Sequence, residues 1–70
     1  MINKAKLKSV MALNQDTGLT LAKALGISSS TLSAKINEYK GAEFTQREIK
    51  ICKDRYVLSP EEVDSIFFTR

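Results

Sequence analysis

The stretch that most constrains this chain is T-L-A-K-A-L-G-I-S-S-S-T-L-S-A-K-I, Thr20 to Ile36. Leu21, Ala22 and Leu25 form one apolar stripe at helical spacing, and Leu32 and Ile36 form the next. Gly26 stands where the first helix has to stop, because glycine enters the left-handed conformation that ends a helix at little cost. Ser28 stands where the second has to start, with a hydroxyl that can cap the first free amides. Ile27 between them is expected to turn inward. Small Ala22 lets the two helices approach closely. The spacing therefore predicts two short helices joined by a tight turn.

That layout is the one in which a second helix can be laid into the major groove of a duplex. The charge distribution points the same way. Residues 1–42 carry six lysines (Lys4, Lys6, Lys8, Lys23, Lys35 and Lys40) against Asp16 and Glu38, a balance of +4. Residues 43–70 carry five basic and six acidic residues, a balance of −1. The basic half contains the two-helix motif, and lysines placed near phosphates release counterions.

Other features narrow the class. Seventy residues suffice for one small domain, residues 1–70, with a single core. A hydrophobic content of 43% is that of a globular chain. There is no twenty-residue apolar run to cross a membrane, and no charged-then-apolar leader, so a cytoplasmic protein is expected. Cys52 is the sole cysteine and histidine is absent. An internal disulfide, ordinary zinc ligation and His-based catalysis are therefore not expected. Cys52 neighbours Ile49 and Ile51 on an amphipathic pattern and reads as a buried structural thiol. No nucleophile–base pair and no phosphate-cradling glycine loop is found, so neither an enzyme nor a bound cofactor or metal is expected.

Five helices and no strands fit the pattern. The first covers about Asn3 to Leu13, with Leu7, Val10 and Met11 on one face. Asn14 to Asp16 form a turn. Thr17 caps the second helix, which runs to Leu25 with Gly18, a poor helix former, in its first turn. The third spans about Ser29 to Asn37, and Tyr39 to Glu43 form a loop. Thr45-Gln-Arg-Glu48 and Ser59-Pro-Glu-Glu62 are capping boxes that open the fourth helix, Gln46 to Arg55, and the fifth, Pro60 to Phe68. Phe44 with Ile49, and Leu58 with Val63, have the spacing of hydrophobic staples. The expected core is Leu7, Val10, Leu21, Ala22, Leu25, Ile27, Leu32, Ile36, Phe44, Ile49, Cys52, Val63 and Ile66.

The chain resembles the phage lambda repressor and Cro-like helix-turn-helix family. The resemblance rests on Thr17, Leu21 through Ser28, Ser30 through Ser33 and Ile36-Asn37. It extends to Phe44-Thr45, Glu48-Ile49, Leu58 through Val63 and Ile66 through Phe68. It implies an all-α, five-helix DNA-binding domain of a small phage or prophage regulator. On this resemblance Ser29, Ser30, Ser33 and Thr31 fall at base-reading positions. Thr17, Ser28, Lys35, Asn37 and Lys40 fall at backbone-contacting ones. Hydroxyls can meet either base edges or phosphates, and a helix N-terminus attracts phosphate.

Two departures matter. The family often carries glutamine where Gly18 stands. The third helix also has no Arg, Gln or Asn before Asn37 for bidentate base contacts. An antirepressor-like modulator that binds a phage repressor protein, or the antitoxin of a toxin–antitoxin pair, are the alternatives to a regulator acting on DNA. A homodimer or a repressor complex would need a protein interface. Phe67 and Phe68 are its candidates, one expected to pack inward and the other to stay exposed.

Overall fold

The computed structural model describes residues 1–69. It is all-helical, with no strand among the described residues. The helices are α1 (Lys4–Leu13), α2 (Gly18–Leu25), α3 (Ser29–Ile36), α4 (Gln46–Arg55) and α5 (Pro60–Phe67). A 3₁₀ turn, Tyr39–Gly41, lies between α3 and α4. None of these helices is long and apolar enough to cross a membrane.

Each helix starts on a side-chain cap. Asn3 Oδ1 accepts from Lys6 N at 3.1 Å, and Ser28 Oγ accepts from Thr31 N at 3.1 Å. Thr17, Thr45 and Ser59 each form a reciprocal box with the residue three positions on, namely Thr20, Glu48 and Glu62. Such caps satisfy amides that have no partner inside the helix, and each is worth ~1 kcal/mol.

Three helix ends follow one geometry with different residues. After α2, Gly26 is left-handed (φ 73°), and Ile27 N donates to Ala22 O at 3.0 Å. After α1, Gln15 takes φ 55°, and Asp16 N reaches Met11 O at 2.8 Å. After α4, Val57 takes φ 51°, and Leu58 N reaches Lys53 O at 2.9 Å. All three are Schellman ends, which return a backbone N–H to a carbonyl five residues back. α3 stops at Ile36, with Glu38 left-handed just beyond (φ 53°).

The core sits between α1, α2 and α3 on one side and α4 and α5 on the other. Leu7, Leu21, Leu25, Leu32, Cys52 and Ile66 are its largest fully enclosed side chains. Met11, Tyr56, Leu58 and Phe67 join it. Val10, Ile27 and Phe44, expected inside, are only half-buried. Leu7 and Met11, one turn apart on α1, take the inward direction, and Val10 lies at the edge of their stripe. Phe44 packs edge-on against the rim of the core, its ring 5.4 Å from that of Phe67. The first and last described residues meet: Asn3 N donates to Ile66 O at 2.6 Å, and Thr69 N donates to Met1 O at 3.1 Å.

Candidate functional site

The turn Gly26–Ile27–Ser28 sets α3 against α2 and leaves the first turn of α3 in solvent. Ser29, Ser30, Thr31 and Ser33 are all exposed. The hydroxyls of Ser29 and Ser30 make no hydrogen bond to a described residue. Those of Ser28 and Thr31 are occupied with each other at 2.9 Å, and Ser28 Oγ also holds the α3 cap. Thr17 caps α2, and its Oγ1 accepts from Thr20 N at 3.2 Å.

A groove of about 370 Å³ runs beside α3. Buried Met11, Leu32 and Ile36 line it, together with the exposed Lys8, Ala12, Thr17, Gly18, Ser29, Ser33 and Asn37 at its rim. Four of the residues singled out in the sequence, Thr17, Ser29, Ser33 and Asn37, therefore converge on one concavity. A side-chain carbon added at Gly18 would meet no atom within 4 Å, so packing does not demand glycine there. Lys8 belongs to this rim and was not singled out in the sequence. The signal was present: Lys4 and Lys8 are one turn apart on α1 and flank the Leu7–Met11 stripe, which brings Lys8 to the edge of the groove that Met11 lines.

Three of the residues singled out in the sequence are engaged within the fold. Lys35 is not free to meet a phosphate. Its Nζ donates to both carboxylate oxygens of Glu48 at 2.6 Å, and the two side chains are 15% and 5% exposed. Burial opposes ionisation of Glu48, but Lys35 and the Thr45 amide outweigh it and hold the carboxyl below its ordinary pKa. Asn37 is engaged within the fold: its Oδ1 accepts from Lys4 Nζ at 2.9 Å, and its Nδ2 donates to Ser33 O at 2.9 Å. Phe67 is buried at 6% exposure, whereas Phe68 is 46% exposed, so of the two rings only Phe68 is open to a partner. Lys40 stays exposed, with its ammonium 5.4 Å from the Tyr39 ring centroid.

Phe68 borders a second, smaller groove of about 140 Å³, shared with Met1, Ile2, Phe44, Ile49 and Phe67 and edged by Lys35, Glu38 and Glu43. The strongest polar node lies elsewhere. Asp16, with its side chain 4% exposed, accepts from Arg55 Nε at 2.7 Å, Arg55 Nη2 at 2.9 Å and Tyr56 Oη at 2.5 Å, and also from Thr20 Oγ1. The Arg55 guanidinium, helped by Thr20 and Tyr56, holds this carboxyl far below the ordinary range. The node staples the start of α2 to the end of α4. Cys52 is fully buried, and burial pushes its thiol up to about 12.

Neither protein-family models, nor curated proteins, nor solved structures gave a match to this chain.

Proposed function

We propose that this chain is a small transcriptional regulator of the lambda-repressor and Cro type, acting in the cytoplasm. In this reading the α2–α3 pair is a helix-turn-helix, and α3 enters the major groove of double-stranded DNA. The observation that carries the reading is the exposed first turn of α3, set by a left-handed Gly26 and a Ser28 cap. There Ser29, Ser30 and Ser33 stand clear of the core, and Lys8 and Thr17 line the adjoining groove. Hydroxyls of this kind can donate to or accept from base edges, and the free amides of the helix end favour phosphate. Lys4, Lys8 and Lys40 supply exposed positive charge for the backbone. Binding rather than catalysis is also favoured by Cys52, whose thiol is enclosed and held protonated.

A second reading is supported by a separate observation. Phe68 is exposed beside a small groove with an aromatic wall and a charged edge, and α3 lacks bidentate base readers. A modulator that docks on a phage repressor would use that surface. A Cro-like homodimer would use it too, since paired half-sites add their energies. One experiment separates regulator from modulator: binding of the purified protein to operator-region and random duplexes over a salt series. Binding that weakens linearly with log salt supports the regulator. No binding to either duplex at low salt, with capture of a repressor protein, supports the modulator.

A further inference from the structure

We infer that Lys35 and Glu48 form a positioning pair, which fixes the attitude of α3 and takes no part in phosphate contact. The inference rests on the duplex-binding reading and adds to it a residue that sets specificity without touching DNA.

Lys35 lies two residues beyond Ser33 on α3. At ~100° per residue it points about 200° around the helix from Ser33, away from the exposed serine face. It enters instead a setting shared with Glu38, Glu43 and Glu48, whose carboxylates disfavour an approaching phosphate. Its partner does not wander. Glu48 Oε1 also accepts from Thr45 N at 2.8 Å, and Glu48 N donates to Thr45 Oγ1 at 3.1 Å. The carboxylate is thus fixed by the cap of α4, and Lys35 refers the last turn of α3 to it. Leu32 and Ile36 also hold α3, but apolar contact is non-directional and permits rotation and sliding. Contact with both oxygens of a carboxylate that the α4 cap already holds fixes where the Lys35 ammonium sits. A buried pair adds little net stability, so its contribution is to geometry.

The test compares Lys35→Met, Glu48→Gln, Lys35→Arg and, as a phosphate-contact control, Lys8→Ala. Glutamine at 48 can still accept from Thr45 N, which keeps the α4 cap. Circular dichroism first establishes that each variant is folded. Two readouts follow: the salt slope and the specific-to-random preference in duplex binding, and amide exchange across α3. Lys8→Ala should lower the salt slope by about one. Lys35→Met and Glu48→Gln should leave the slope unchanged, reduce the preference several-fold, and raise exchange at Leu32 to Asn37 by ~10-fold relative to α5. Lys35→Arg, whose fork can meet both oxygens, should keep the preference. A slope lowered by one in Lys35→Met with preference intact would overturn the inference. So would unchanged α3 exchange, or equal loss of preference in Lys35→Arg and Lys35→Met. If the wild type binds no duplex, the duplex reading fails, and α3 exchange alone decides whether the pair holds the helix.

Discussion

Val57 offers a perturbation whose sign and size follow from backbone geometry. It occupies the left-handed position of the α4 end at φ 51°, and it is 86% exposed. A β-branched residue there brings its branched carbon against the backbone, at a cost of ~1–2 kcal/mol. Glycine removes that clash, and because Val57 touches so little, almost no apolar burial is lost with it. The offsetting term is in the unfolded chain, where glycine has more freedom, worth ~0.4–1 kcal/mol. Val57→Gly should therefore stabilise the fold by ~0.5–1 kcal/mol. In a domain of this size that raises Tm by roughly 2–8 °C. Gly26 provides the mirror experiment, since it holds the same position at the end of α2 with φ 73°. Gly26→Val should destabilise by at least ~1 kcal/mol. Thermal and urea melts followed by circular dichroism measure both. A Val57→Gly variant with unchanged or lowered Tm, at unchanged m-value, would refute the strain account. It would mean that Val57 makes contacts worth more than its conformation costs.

Stability should be level from pH 7 to about pH 5 and fall as the solution is acidified below about pH 4. The folded Asp16 carboxyl has a lowered pKa, so its contribution is present above the unfolded value and is lost as the pH drops toward the folded one. Asp16→Asn should flatten that acid limb in urea melts taken across the range. Cys52 should resist a thiol reagent at pH 8 in the native protein and react at once in 6 M guanidinium; rapid native reaction would contradict its enclosure. Phe67→Ala should cost ~3–5 kcal/mol, whereas Phe68→Ala should leave the melt nearly unchanged and, on the proposed docking reading, weaken association with a second copy or a repressor in sedimentation. The opposite pattern would reverse the assignment of the two rings.

Capping boxes proved readable because they are local: Thr45 and Glu48, or Ser59 and Glu62, need only three-residue spacing to meet. The end of α2 was readable because it uses glycine. The same backbone turn at Gln15 and Val57, and the left-handed Glu38, were not, since nothing in those side chains announces a positive φ. There the chain's path through the core outweighs local preference. The Asp16–Arg55 and Lys35–Glu48 pairs escaped notice for another reason. They join residues 39 and 13 positions apart, and no periodicity links one helix to the facing side of another. That is why Lys35 read as a surface cation. Phe67 and Phe68, adjacent near the end of a helix, could be distinguished only by the course of the last turn, where Phe67 lies over Phe44.

The meeting of the first and last described residues has a mechanical meaning. Asn3 N on Ile66 O and Thr69 N on Met1 O place both at one spot on the surface. A force drawn between them loads these two bonds and the α1–α5 contact first. The α2–α3 pair, joined by its own turn and by the Gly26 end, lies behind that junction. The domain should peel from its ends inward under tension and surrender its central helix pair last.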